Sequence, residues 1–272
     1  MKRVGIFLFS GTGMTKYVTE KIKYEFEKQN IEFDIHNIED VQIENILLDD
    51  YDMIGVANPI HSFNTPKIVV DFVKKLPKVD GIKTFIINTC GEYNPMNFAS
   101  SNLLINILTQ KGFNIFYFRQ FAMPNNFIIK HDEKQVIELL EEVNNDIPQA
   151  VFEIINHISY QEKSGFIAKI LTFIGRLETS EAKWMGKFLY TNKNCNLCMD
   201  CVQNCPNKNI IVNQKRIRFK THCGLCMRCI YLCPNSAIKV HHPIKFFSFE
   251  KWYENKEIPI MRKDKKENFK SE

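Results

Sequence analysis

Eight of the nine cysteines in this 272-residue chain lie between Cys195 and Cys233. They form two runs of one pattern, C-x2-C-x2-C-x3-C-P. The first is Cys195, Cys198, Cys201 and Cys205 before Pro206, and the second is Cys223, Cys226, Cys229 and Cys233 before Pro234. The runs belong to an internal repeat. Residues 195–212 and 223–240 align without gaps at an offset of 28, with ten of 18 positions identical. One physical explanation should therefore cover both halves. A cubane iron–sulfur cluster needs one thiolate per iron, and three cysteines two residues apart let a tight loop wrap three corners. Structural zinc sites use close ligand pairs separated by longer spacers, which is a different pattern. A secreted disulfide scaffold would be a shorter chain behind a signal peptide.

Residues 187–240 resemble the bacterial two-cluster ferredoxins. The resemblance implies that the fourth cysteine of each run serves the opposite cluster. One cluster would then take Cys195, Cys198, Cys201 and Cys233, and the other Cys223, Cys226, Cys229 and Cys205. One departure concerns charge. Many such ferredoxins are acidic, whereas residues 191–240 carry eight basic residues against Asp200 alone, a net of +7. Their partner preferences are therefore not carried over.

A second constellation opens the chain. The apolar run Val4–Phe9 is followed by Ser10-Gly11-Thr12-Gly13-Met14-Thr15-Lys16. Glycines allow close backbone approach, hydroxyls donate, and a helix N-terminus adds N–H groups and positive potential. A strand–helix turn of this composition suits a monophosphate, with Thr12 and Thr15 as its expected donors. The GK[ST] ending of a triphosphate loop is missing. Lys16 occupies the third glycine of the dinucleotide fingerprint, so Asp34 is expected to be a solvated strand-end residue rather than a ribose ligand.

The elements that must position these groups follow from periodicity. Val4–Phe9, Ile31–Ile35, Met53–Ala57, Thr84–Thr89 and Asn114–Phe121 read as strands. Helical spacing covers a segment from Thr12, the expected cap, to about Lys28. It recurs over Pro66–Leu76, Phe98–Gln110 and Glu133–Ile158, with Pro148 expected to kink or break the last. Such alternation implies a parallel sheet with helices on both faces and right-handed crossovers. Residues 1–150 resemble the flavodoxin family in FSGTGMT, in the five-strand alternation, and in two loops at strand ends. Those loops are Asn58-Pro59-Ile60-His61-Ser62-Phe63 and Thr89-Cys90-Gly91-Glu92-Tyr93-Asn94.

The resemblance implies an α/β flavodoxin-like sheet of order 2-1-3-4-5 with FMN beyond the carboxyl ends of the strands. Ser10, Gly11, Thr12, Gly13, Met14 and Thr15 would hold the phosphate. Asn58, Pro59, Ile60, His61, Phe63, Thr89, Cys90, Gly91, Glu92 and Tyr93 would surround the ring. Met14 stands where related proteins often have Asn, so backbone donors must replace one side-chain contact. Tyr93, His61 and Phe63 are the candidates to lie against the ring. Cys90 reads as a small buried hydrophobe and Glu92 as a solvated acid.

The expected domains are 1–160 (flavodoxin-like), 161–186 (a linker with an amphipathic helix over Gly165–Arg176), 187–242 (a small α+β two-[4Fe-4S] ferredoxin unit) and 243–272 (a partly disordered extension, frayed from Lys263). The whole resembles flavodoxin–ferredoxin fusions of anaerobes, generally described as electron carriers. The net charge of +5 is too small to argue for nucleic acid, no stretch approaches a membrane span, and Val4–Phe9 is too short for a signal peptide. These features read as a soluble cytoplasmic protein with reduced thiols.

No acid–base or nucleophilic constellation stands outside the flavin site. The leading expectation is therefore a relay between two [4Fe-4S] clusters, FMN and a redox partner protein. The alternatives are a flavin-dependent reductase of a small substrate and a redox-sensing interaction module. Residues 1–150 carry 15 basic against 20 acidic residues, a net of −5. Salt-sensitive docking of the basic unit on this domain is expected, through Lys215, Arg216, Arg218 and Lys220.

Overall fold

A computed structural model describes residues 1–126 and 130–241, together with Ile258 and Met261. Five strands, β1 (Arg3–Leu8), β2 (Glu32–Asn37), β3 (Met53–Pro59), β4 (Lys83–Cys90) and β5 (Asn114–Ala122), appear where the apolar runs place them. A sixth, β6 (Tyr160–Gln161), extends the edge, giving the order β2-β1-β3-β4-β5-β6. Every pair in this sheet is parallel. The expected five-strand sheet is thus correct in its order and one strand short. At two residues, β6 is too brief to carry a periodic signal.

Strand alternation explains the two cores. Val4, Ile6 and Leu8 of β1 face one cluster with α1 (Met14–Lys28) and α4 (Glu133–Ile155). Phe7 and the following Phe9 face another with α2 (Lys67–Lys75) and α3 (Asn102–Gln110). Continuous apolar strands are what burial on both faces demands.

Thr12 does not cap α1 as expected: Gly13 is the N-cap, at φ 108°, where a side chain would be strained. Pro66 is the N-cap residue of α2. Pro148 does not break α4, which continues through it. That helix starts on a reciprocal capping box, Asp132 with Gln135.

Residues 161–186 do more than link. After β6, α5 (Phe166–Met185) packs one side against the 61–64 turn. Asn64 donates to the Thr172 carbonyl at 2.9 Å, and the Thr172 hydroxyl donates to Phe63 O at 3.1 Å. Phe166, Ile167, Ile170, Phe173 and Ile174 remain exposed on its other side. Among the described residues, no helix is long and apolar enough to cross a membrane.

The cysteine-rich unit contains α6 (Asp200–Gln203) and α7 (Arg228–Leu232). Its two small antiparallel sheets pair β7 (Leu189–Thr191) with β10 (Ile238–Val240), and β8 (Ile210–Asn213) with β9 (Arg216–Phe219). The expected frayed tail from Lys263 lies outside the described residues. Ile258 packs into the core beside α1 and α4.

Candidate functional site

The sequence repeat is also a backbone repeat. Leu197 and Met199 have positive φ, as do Leu225 and Met227 at the same offset of 28. These left-handed residues turn each cysteine loop tightly, a conformation that lines backbone N–H groups around an anion-binding concavity. Backbone amides donate to sulfur at matching places. Asn209 N reaches Cys205 Sγ at 3.3 Å, and Ala237 N reaches Cys233 Sγ at 3.2 Å.

The thiols gather around two cavities. One is lined by Cys195, Cys198, Cys201 and Cys233. The other is lined by Cys205, Cys223, Cys226 and Cys229. Each fourth cysteine therefore lines the cavity of the opposite repeat. The thiols also act on one another. Burial raises the Cys201 thiol to about 12, and the charges of Cys198, Cys233 and Cys195 add to that effect. Among the described residues, no three of His, Cys, Asp and Glu converge on a single-ion position. The thiols frame two spaces instead of meeting at two points.

At the other end of the chain, the turn after β1 is organised by Ser10. Its hydroxyl accepts from Gly13 N at 3.2 Å and from Lys16 N at 3.4 Å. Thr15 shares a 2.8 Å hydrogen bond with Thr89, joining this turn to the end of β4. The Thr12 hydroxyl accepts from Asn126 at 2.9 Å. Ser10, Thr12 and Thr15 are all buried. Gly13, the N-cap residue, has no side chain of its own to cap α1, and Ser10 takes the Lys16 amide of the first turn.

The two constellations meet, which neither motif reveals alone. A Cβ on Gly11 would lie 2.3 Å from the Cys226 carbonyl oxygen, so only glycine permits this approach. Cys226 packs against the core between the sheet, α2 and α3. Arg228, only 2% exposed, reaches across. It donates to Ser10 O at 2.6 Å and Gly11 O at 3.3 Å, and pairs with both carboxylate oxygens of Glu39. In a trans peptide the C=O and the next N–H point oppositely. Arg228 therefore turns the Gly11 and Thr12 amides away from itself. Sequence reasoning missed Arg228. The available signal was its position in the repeat, where the first half has Asp200 instead.

The 58–63 and 89–93 loops are the ones expected to flank a ring. His61 has the Gly224 backbone as a hydrogen-bond partner, and burial pushes its imidazole down to about 4, so it is neutral at pH 7. Ser62 and Phe63 adopt positive φ, held by α5. Asn58 is buried at the end of β3, with Pro59 and Ile60 half-buried after it. Cys90 is buried and donates weakly to Phe121 O; burial raises its thiol to about 12, which removes it as a nucleophile. Gly91 is half-buried and Glu92 exposed. Tyr93 is 51% exposed, with its ring edge-on to Phe98. Asp34 stays part-exposed within β2, where it pairs with Arg3 at 2.8 Å and accepts from Tyr51.

Lys215, Arg216, Arg218 and Lys220 stay exposed at the β8–β9 hairpin. The contact between the two parts runs through Arg228 and Glu39 instead. The charges at this contact are buried, unlike the four exposed cations of the hairpin.

Together, the sheet order and the glycine-hydroxyl turn define a flavodoxin-like α/β domain. The sequence model of the flavodoxin domain family matches residues 5–91. Solved structures similar to this chain include a flavodoxin from the domain Archaea, at 17% identity over 56% of this chain and 99% of that one, with a TM-score of 0.35. Megasphaera elsdenii flavodoxin in its two-electron reduced state is 19% identical over 52% and 98%, with a TM-score of 0.39. Flavodoxin 1 from Bacillus cereus is 19% identical over 58% and 100%, also at 0.39. No curated protein matches the chain.

Proposed function

We propose that the protein is an iron–sulfur flavoprotein that relays electrons between a redox partner protein, two [4Fe-4S] clusters and FMN. The observation that carries this reading is the contact of Cys226 with Gly11, which puts the second cysteine cavity directly against the phosphate turn. When bound, the clusters supply one-electron chemistry and FMN both one- and two-electron chemistry. The chain's contribution is placement.

Cys195, Cys198, Cys201 and Cys233 would hold one cluster, and Cys205, Cys223, Cys226 and Cys229 the other. Four thiols per cavity, loops in left-handed turns and amides donating to sulfur all fit such a group. Ser10, Thr12 and Thr15, with the turn's amides, would bind the phosphate. The buried hydroxyls beside a helix N-terminus fit a dianion. The 58–63 and 89–93 loops would flank the ring.

Position assigns the two cysteine sets different tasks. The second set lies against the flavin loops. The first reaches the surface at Cys198, which is exposed, beside exposed Leu197. That is where a partner docks. Anaerobic purification followed by iron, sulfide and flavin assays tests the reading. It expects about eight iron, eight sulfide and one FMN per chain. Zinc in place of iron, or no flavin, rejects it.

A further inference from the structure

The added strand β6 carries Glu162 to the end of the sheet, beside the 89–93 loop. Both of its carboxyl oxygens are buried, and neither has a hydrogen-bond partner of full geometry. A buried carboxylate with only weak partners is costly, so such a group holds a proton or awaits one. The cation nearest to hand is already committed. Arg119 donates to Asp146 at 3.1 Å and lies 3.5 Å from Glu153. The other groups facing Glu162 are Cys90 and Tyr93 from β4 and its loop, and Tyr160 from β6. Glu92 and Lys163 are exposed. None of these supplies a buried positive charge.

We propose that Glu162 is a proton-binding site coupled to electron arrival at the 89–93 loop, taking one proton from solvent when that site gains one electron. The electron comes from the iron–sulfur donors proposed above, so this inference rests on the flavin reading. The charge balance is simple: one negative charge enters the site, and one proton neutralises the Glu162 carboxylate. Tyr93 connects the group to water, because it is half exposed and its hydroxyl faces Glu162.

The carboxyl is poised for this. Burial raises it to about 7, while the Gln120 amide, the Tyr93 hydroxyl and the Arg119 charge pull the other way. At pH 8 it is mostly ionised before the electron arrives. The added negative charge raises its affinity for a proton, so uptake follows. At pH 6 it is protonated both before and after, and takes up nothing more.

Two measurements on the full chain test this. In flavin-free protein, infrared difference spectra across a pH titration should show a protonated carboxyl disappearing near pH 7, absent in Glu162→Gln. In FMN-loaded protein, proton uptake on anaerobic reduction is read with an indicator dye. Wild type should exceed Glu162→Gln by about one proton per flavin at pH 8, and by none at pH 6. Absence of the infrared transition, or equal uptake at pH 8, overturns the proposal. Failure of wild type to bind FMN overturns the coupling through the flavin reading itself, and the infrared titration then stands alone as its distinguishing mark. If Glu162→Gln does not fold, Tyr93→Phe serves. It removes a donor that favours the ionised form, so the transition should move to higher pH, and no upward movement rejects the assignment.

Discussion

Arg228 and Glu39, 189 positions apart in sequence, form an ion pair whose side chains are only 3% and 5% exposed. Arg228 stands in the second cysteine repeat, and Glu39 follows β2. The same guanidinium donates to Asn204 O at 3.1 Å and to the carbonyls of Ser10 and Gly11. Every arm of its fork is thus used between the two parts of the molecule, the condition under which a buried pair holds its geometry.

Breaking that pair should be costly in one direction only. Glu39→Ala leaves a buried guanidinium without its carboxylate, and should cost about 3–5 kcal/mol in urea unfolding. Replacing both residues by Met should recover a substantial part of that loss, since an apolar pair carries no desolvation penalty. A double variant as unstable as the sum of the singles would show that the pair contributes no coupling.

Thr12→Ala should weaken FMN about tenfold, roughly the worth of one hydrogen bond to a charged group. Riboflavin, which lacks the phosphate, should be affected much less. Arg228→Met should act in the same sense, because it releases the amides that Arg228 orients. Equal losses for the two flavins, measured by fluorescence titration, would remove the phosphate from this turn.

Crossed ligation has a test in the intact chain. Cys195→Ser with Cys233→Ser strikes one cavity if the fourth cysteines cross, and both if they do not. The crossed arrangement predicts that about half the iron is retained, with one intact [4Fe-4S] signal in reduced-state EPR. Loss of nearly all the iron would favour ligation within each repeat.

The cysteine repeat was legible because its spacing is local and duplicated, so its eight cysteines stood out before any fold was known. The strand positions were legible from apolar runs that alternate between two cores, as Ile6 and Phe7 do, and the sheet order came from the flavodoxin resemblance. Long-range pairing was not. Nothing near Arg228 points to Glu39, and the exposed cluster at Lys215 and Arg216 drew attention because its charges are adjacent in sequence. Glu162 was hidden for a similar reason: only the two-residue strand before it brings it to Tyr93. Thr12 looked like a cap because hydroxyls before a helix usually are. Here Ser10 takes the amides, and Gly13 makes the turn.

The central claim is that the cysteine unit is a built-in, permanently docked electron donor to the flavin site. Rapid-mixing absorbance after reduction of the iron–sulfur centres tests it directly, following bleaching and recovery at iron–sulfur and flavin wavelengths. A buried pair is little affected by screening, unlike exposed charges. The account predicts that flavin reduction is first order, independent of protein concentration, and unchanged between low and high salt with all cofactors retained. A rate that rises in proportion to protein concentration, or that collapses as salt is added, would contradict it.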